Sequence, residues 1–425
     1  MLKGLSNMFK NKSEKNKKNK TISAAMSFII LFGIVSLFSD MTHEGASSIR
    51  GSYLSLIGAS AGTIGFVSGL GEMIGYSMRY IFGKITDRTG KYWTMTIVGY
   101  VLDLIAVPAL TFVGEDGWIL ACILLVIQKM GKAIKKPAKD TIMSFAATQE
   151  GIGKSFGIQE MLDQIGAFLG PVMLYIVMLF KTSGTTFEIY SLCFATLAIP
   201  AAITIILLMI TKYRFPNPEK FEPTSNEYIS FRIEKNFIKY IIGISFFAFG
   251  FMDYSIIIMH ISRSFASISG AFAEGSSLIN SGSIPLLYAG AMLVDAVAAI
   301  VFGHMYDKIG VKALVYSTIV SATFPIFIFA VDSEKAMIVG IILWGVGMGA
   351  QESILKAAVT SMVPKASRAT GYGVFECSFG LFWFLGSWIL GVLYDTNIII
   401  MIIVSVISQI LAIPFYLSVN RLKND

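Results

Sequence analysis

Ionisable residues stand inside stretches that are otherwise apolar. Asp40, His43 and Glu44 are spaced three and four apart, which on a helix places them on one face. Glu72 sits in Ser68-Gly69-Leu70-Gly71-Glu72, and Asp103 in the next apolar run. The run after that reads Gln128-Lys129-Met130-Gly131-Lys132-Ala133-Ile134-Lys135-Lys136-Pro137-Ala138-Lys139-Asp140. Further along come Glu160, Asp163, Asp253, Asp295, Glu352, Lys356 and Glu376. An ionisable group at a bilayer centre costs at least about 2.5–3.5 kcal/mol, so such groups tend to face a cavity or a partner. A carboxyl group in a low-dielectric bundle can load and unload a proton near neutral pH. A lysine there pairs with an acid or attracts an anionic solute. The candidates for proton coupling and translocation are Asp40, His43, Glu44, Glu72, Lys129, Lys132, Asp163, Asp253 and Asp295. The competing reading is static ion pairing, which is the commoner one for Asp103 and holds equally for Glu160, whose repeat partner is Glu376. Lys135, Lys136 and Lys139 lie near the end of their run and are expected to snorkel to the surface. Lys129 and Lys132 lie too deep for that and are expected to face a cavity. Pro137 removes a helical hydrogen bond and predicts a kink.

The elements that position these residues are membrane helices. Of 425 residues 55% are hydrophobic and 14% charged, with a mean hydropathy of +0.69. A soluble domain needs more charge to cover its surface. About twelve apolar runs near twenty residues long recur, centred near residues 33, 70, 103, 128, 167, 198, 249, 292, 322, 348, 381 and 407. Helices suit runs of that length; barrel strands do not.

Charge fixes an expected topology. Lysines crowd the first twenty residues, and Lys84, Arg88, Lys91, Lys212, Arg214, Lys308, Lys312, Lys365, Arg368, Arg421 and Lys423 fall in alternate connectors. The other connectors hold Glu115, Asp116, Glu188, Glu274, Asp332, Glu334 and Asp395. The positive-inside rule therefore puts both termini and the middle connector in the cytoplasm. The net charge of +7 follows from topology and implies no nucleic-acid partner. The lysine-rich start runs on into Asp40-Met41-Thr42-His43-Glu44 without a convincing cleavage site, so it reads as a retained first span. Cys122, Cys193 and Cys377 lie inside spans without metal spacing.

The chain repeats itself. Gly83-Lys84-Ile85-Thr86-Asp87-Arg88-Thr89-Gly90-Lys91 returns as Gly303-His304-Met305-Tyr306-Asp307-Lys308-Ile309-Gly310. Phe156, Gly157, Glu160 and Gly170 fall on Tyr372, Gly373, Glu376 and Gly386 at a second common offset. Phe38-Ser39-Asp40 resembles Phe251-Met252-Asp253. Between the copies, Pro216, Pro218 and Pro223 break the helical pattern. Parallel halves of this kind are one known transporter plan. The expected organisation is a basic segment 1–22, a six-helix bundle 23–211, a linker 212–236, a second bundle 237–418 and a tail 419–425.

The chain resembles the major facilitator superfamily. Gly83, Asp87, Gly90 and Lys91 match the G-x-x-x-D-x-x-G-[RK] loop of that family. Gly303, Asp307 and Gly310 match a weaker copy, in which Val311 stands where the base is expected. The resemblance implies an all-α membrane fold of twelve helices in two pseudo-symmetric bundles. It also implies a gating cluster of Asp87, Arg88, Lys91 and Asp140, and a proton-coupling role for a helix-four base such as Lys129 or Lys132. Gly157, Gly166, Gly170 and Pro171 resemble the helix-five glycine motif of proton-antiporting exporters, although Leu174 and Tyr175 replace its last glycines. The function expected is alternating-access transport of a small organic solute, attractively an anionic one, by proton-coupled efflux across the cytoplasmic membrane. A monomer working in the lipid bilayer, without cofactor or metal, is expected. A proton-coupled importer, a facilitator, a polytopic membrane enzyme and a non-transporting receptor are the competing readings. No phosphate-binding loop is present, so an ion gradient is the expected energy source.

Overall fold

The computed structural model describes residues 23–150, 152–181, 183–221, 234–268, 281–363 and 368–419. The basic start, the central part of the linker, the tail beyond Val419 and the side chains of Asp87, Asp307 and Lys356 lie outside the described residues. The helices are α1 Ala24–Leu56, α2 Ala61–Thr89, α3 Tyr92–Ala109, α4 Trp118–Glu150, α5 Ile152–Phe180, α6 Thr186–Thr196, α7 Ala198–Arg214, α8 Lys235–Gly250, α9 Tyr254–Ile268, α10 Ile284–Ile309, α11 Ala313–Ser321, α12 Phe324–Phe329, α13 Glu334–Met362, α14 Arg368–Thr396 and α15 Ile398–Ser418. The pairs α6/α7, α8/α9 and α11/α12 each form one apolar span.

Among the described residues ten spans are long and apolar enough to cross a membrane. Twelve runs were expected; α2 and α4 are the two that fall short. Both are long enough, at 29 and 33 residues, but they carry the charges that make them functional candidates. The helix ends follow local chemistry. Ser23 caps α1 by accepting from Met26 N, and Ser60 caps α2 by accepting from Thr63 N. Thr185 and Glu188 form a capping box on α6, and Asn397 caps α15. Gly90 and Gly310, the last glycines of the two loop copies, adopt φ of 63° and 66°. Only glycine takes that conformation cheaply, which is why each copy ends a helix there. Helix α4 runs through Pro137 without interruption.

Close backbone contact knits each bundle. A Cβ added to Gly131 would lie 2.5 Å from Asp103 N, and one on Gly99 would lie 2.5 Å from Lys135 N, so α3 and α4 cross at glycine faces. Gly166 and Gly170 seat α5 on α1, where an added Cβ would lie 2.2 Å from Leu37 O and 2.3 Å from Met41 O.

The two halves meet most tightly at the end opposite the loop motifs. There the Asp395 carboxylate accepts from Ala61 N at 3.2 Å and from Gly62 N at 2.7 Å, capping α2 from the other half. Arg263 Nε donates to Ser55 Oγ at 2.9 Å. Ser52 Oγ donates to Ile258 O at 3.4 Å and also meets Ser262. An added Cβ on Gly51 would lie 1.9 Å from Ser255 O, and one on Gly65 would lie 2.1 Å from Ser387 O.

Helices α8 and α9 are two halves of one broken span. Phe251 is extended, with φ −84° and ψ 110°, and the chain resumes as helix at Tyr254. The carbonyls freed at the break find partners. Gly250 O accepts from Ser405 Oγ at 2.6 Å and from Gln409 Nε2 at 3.3 Å, and Met252 O accepts from Trp344 Nε1 at 3.0 Å. The repeat-equivalent Phe38-Ser39-Asp40 stays helical within α1, so the two halves differ here.

Candidate functional site: buried charges between two helical bundles

Helices α1, α3 and α4 hold a polar network in the first bundle. His43, Asp103, Gln128 and Lys135 are all buried. Gln128 Nε2 donates to Asp103 Oδ1 at 3.2 Å and to His43 Nδ1 at 3.0 Å. The amide must present its NH2 to the carboxylate, because its oxygen would be repelled there. His43 Nδ1 is then an acceptor, so the ring hydrogen sits on Nε2, which lies 2.8 Å from Asp103 Oδ2. Lys135 pairs with the same carboxylate. It also donates to Ser39 Oγ at 3.0 Å and stands 4.1 Å over the Tyr100 ring. One acid and one base, with a neutral imidazole, leave the network balanced. The expectation that Lys135 and Lys139 snorkel to the surface is overturned: they are 5% and 6% exposed and turn inward to acids. Lys139 Nζ lies 3.8 Å from Asp163 Oδ2. Lys136 stays half-buried, 3.4 Å from Asp140 Oδ1.

A second group of charges lies on α1, α2 and α4. Glu72 of α2 pairs with Lys129 of α4, and both are half-buried. Lys132, one turn further, is half-buried and forms no ion pair or hydrogen bond among the described residues. The charges that act on it are Glu44, Glu72, Asp40 and Asp103. Asp40 likewise has no base within ion-pair distance among the described residues; Asp163, Lys139, Lys132 and Glu44 act on it from further away. Glu44 accepts a hydrogen bond from Tyr288 of the other half. The face that carries Asp40, His43 and Glu44 thus splits three ways: His43 into the first network, Asp40 toward α5, Glu44 across to α10.

Arginines complete the crossing contacts. Arg50 Nε donates to Ser255 Oγ at 3.1 Å, and its Nη2 lies 3.7 Å from Asp253 Oδ1. Asp253 Oδ1 in turn accepts from Ser255 N at 2.8 Å, capping α9 at the broken span. Arg79 Nη1 lies 3.2 Å from Glu376 Oε1, joining α2 to α14. Sequence reasoning passed over Arg50, Arg79 and Gln128. Arg50 falls among small residues, Ser47-Ser48-Ile49-Arg50-Gly51, and that run, which admits a close neighbour, is the signal that could have found it.

The second bundle adds Asp295, 2% exposed, on α10 against Gly349 of α13. Of the expected gating cluster, Asp140 pairs with Lys136 on its own helix, and the Asp87 side chain lies outside the described residues. Arg88 and Lys91 are exposed, and a Cβ on Gly90, Gly303 or Gly310 would meet open space. Pro171 lies within α5 beside Gly170. Among the described residues no three His, Cys, Asp or Glu side chains converge as a metal ion would need.

A family model described as Major Facilitator Superfamily matches residues 21–282 and 241–424. An uncharacterised protein of Mycobacterium tuberculosis is 30% identical over 405 residues, covering 93% of this chain and 94% of its own length. An uncharacterised MFS-type transporter of Methanocaldococcus jannaschii is 28% identical over 380 residues, covering 87% of this chain and 89% of itself. Among solved structures, a nucleoside transporter superposes with a TM-score of 0.70 at 14% identity, covering 93% of this chain and 98% of that one. The inward-open xylose transporter of E. coli superposes with a TM-score of 0.64 at 13% identity, covering 94% and 96%.

Proposed function

Because the chain belongs to the major facilitator superfamily, we propose that it is a proton-coupled carrier that exports a small organic anion across the cytoplasmic membrane. The fold is that of a multi-pass secondary transporter.

One observation carries the choice of solute. Lys132 is a half-buried base of α4 that no described side chain pairs, while Lys129, Lys135, Lys139, Arg50 and Arg79 are each engaged by an acid. Its ammonium has no direct hydrogen-bond partner among the described residues, and a carboxylate or phosphate arriving from water can supply one. Lys129 stands one turn away and can share the anion when Glu72 releases it. The carboxyl groups without a base partner, Asp40 and Asp295, are where protons exchange. Moving one charge across about 100 mV is worth roughly 2.3 kcal/mol, so one or two protons drive strong accumulation. Export rests on the likeness of Gly157, Gly166, Gly170 and Pro171 to the helix-five motif of antiporters. The carrier works as a monomer with the loop motifs and both termini in the cytoplasm, its bundles 23–211 and 237–418 rocking about the linker 212–236. The tight seam at the opposite end supports an exterior side that is shut in this structure.

A thermal-shift screen of carboxylated and phosphorylated metabolites on purified protein identifies the ligand, and counterflow in proteoliposomes tests transport. Lys132→Ala is expected to weaken binding of that ligand about tenfold or more, the loss of about 1.4 kcal/mol. Asp40→Asn is expected to remove dependence on the pH gradient while counterflow persists. Unchanged affinity in the first variant would refute the anion site. Chemical conversion of the ligand, in place of exchange, would turn the reading toward an enzyme.

A further inference from the structure

Two prolines turn the chain back at the end of α7. Pro216 disfavours helix at the residue before it, and α7 stops at Arg214 with Phe215 at φ −131° and ψ 68°. A short 3-10 turn follows over Pro218–Phe221, with Pro218 buried and Lys220 N donating to Asn217 O at 3.3 Å. Residues 215–221, within the expected linker 212–236, therefore lie across the first bundle at the end that carries the loop motif.

The contacts are specific. Phe28 of α1 is fully buried, and its ring lies 5.2 Å from that of Phe215, 6.0 Å from that of Phe221 and 6.5 Å from Trp93 of α3. Trp93 Nε1 donates to Phe215 O at 3.1 Å, and Gln149 Nε2 of α4 donates to Phe221 O at 2.8 Å. Ser23 Oγ donates to the Glu150 carboxylate, joining the start of α1 to the end of α4. One short segment thus touches the starts of α1 and α3 and the end of α4. Its two rings pack on an apolar cluster that includes Phe32, Ile142 and Met143 and is separate from the larger core.

Helix α3 needs that support. Its N-cap residue, Lys91, makes no side-chain cap hydrogen bond, and no acid stands in its first turn. Helices α1, α2, α6 and α15 are each capped by a side chain. Lys91 is also the last residue of the loop motif, and Gly90 before it ends α2 at a φ of 63°. A glycine turn without a cap is held by what packs on the residues after it. Here those are Tyr92, whose ring lies 5.5 Å from that of Phe145, and Trp93, bonded to the segment after α7. In the second loop copy the register puts Val311 at the place of Lys91 and Ala313 at the place of Trp93. Of the two copies, the one that keeps its base is the one with an indole to be held.

We infer that residues 215–221 are a strap that positions the loop-motif turn: they tie the first turn of α3 to α1 and α4, fix Gly90-Lys91 in one arrangement, and travel with the first bundle when the halves rock. The strap goes beyond the choice of solute, proton and direction above and serves a carrier of any of them. Trp93 and Phe221 are positioning residues in it.

Hydrogen exchange read by mass spectrometry on the full chain in nanodiscs tests the strap. Gly90 N donates to Thr86 O at 2.8 Å and Met95 N to Lys91 O at 3.1 Å, so these two amides report on the turn. Phe221→Ala is expected to speed their exchange about tenfold by local opening, leaving Gly310 in the second copy and the thermal midpoint unchanged. Phe221→Tyr keeps the ring and is expected to exchange as the wild type does. Trp93→Phe, which loses only the N–H and part of the ring, should give a smaller rise of the same sign. Inserting Gly-Ser-Gly-Ser after Arg214 should act as Phe221→Ala does, and the same insertion after Phe221 should have no effect. Unchanged exchange at Gly90 and Met95 in Phe221→Ala, or equal effects of the two insertions, would overturn the proposal. So would faster exchange spread evenly over the first bundle with a lowered midpoint, since residues 215–221 would then support the bundle as a whole and not the turn.

Discussion

Gly51→Val and Gly65→Val are each expected to stop substrate exchange in a protein that still inserts and folds. A Cβ on Gly51 would lie 1.9 Å from Ser255 O, and one on Gly65 would lie 2.1 Å from Ser387 O. Real Cβ atoms essentially never approach a heavy atom within 3.0 Å. The obstructing atoms are main-chain carbonyls, so no side-chain rotation relieves the clash. Both contacts join one bundle to the other, and the bundles can part where the packed interior of a bundle cannot. Overpacking at about 3 kcal/mol therefore falls on the closed arrangement alone. It lowers the population closed at this end roughly a hundredfold. Gly166→Val and Gly170→Val meet Leu37 O and Met41 O inside the first bundle and should lower stability itself. Two measurements separate these outcomes. Labelling of a cysteine at Ser387 by an impermeant thiol reagent should rise in Gly51→Val while the thermal midpoint holds, and the reverse should hold for Gly166→Val. Wild-type counterflow from Gly51→Val would mean that closing this seam is no part of the cycle.

What could be read from the chain, and what could not, divides along one physical line. Features that repeat locally were visible. Hydropathy marked every run centre, and each falls within a helix or the short turn of a span. The duplicated loop placed the glycines that end α2 and α10. Burial cost raised the expectation that Lys129 pairs with an acid such as Asp40 or Glu72 or attracts an anionic solute; it pairs with Glu72, on another helix. Most partners brought together only by tertiary folding were not visible. Arg50 and Asp253 belong to different bundles, as do Arg79 and Glu376, and no periodicity links them. Lys135 read as a surface lysine because proximity to a helix end is a sequence property, while the depth of Asp103 beside it is not. The break at Phe251 carries no proline, so only the assembled sheath of Ser405, Gln409 and Trp344 makes it affordable in a membrane.

Asp103→Asn is expected to be the most destabilising single substitution among the buried charges. The carboxylate is fully buried and answers three neighbours at once: Lys135, His43 and Gln128. Removing its charge strands the Lys135 ammonium, itself 5% exposed, beside an imidazole whose Nε2 already carries a hydrogen. Breaking a buried pair from one side costs about 3–5 kcal/mol, because the remaining ion keeps its desolvation cost and loses its compensation. Glu72→Gln should cost less: its pair with Lys129 is only half-buried, so water solvates part of the stranded ammonium. The double variant Asp103→Asn/Lys135→Met should recover much of the loss, since a neutral pair of similar volume carries no stranded charge. Thermal unfolding in detergent orders the three: Asp103→Asn lowest, the double variant intermediate, Glu72→Gln nearest to wild type. If the double variant is no more stable than Asp103→Asn, the damage lies with the hydrogen bonds to His43 and Gln128 rather than with the unpaired lysine. If Asp103→Asn matches wild type, the network is not a structural anchor, and His43 returns as a candidate for carrying protons.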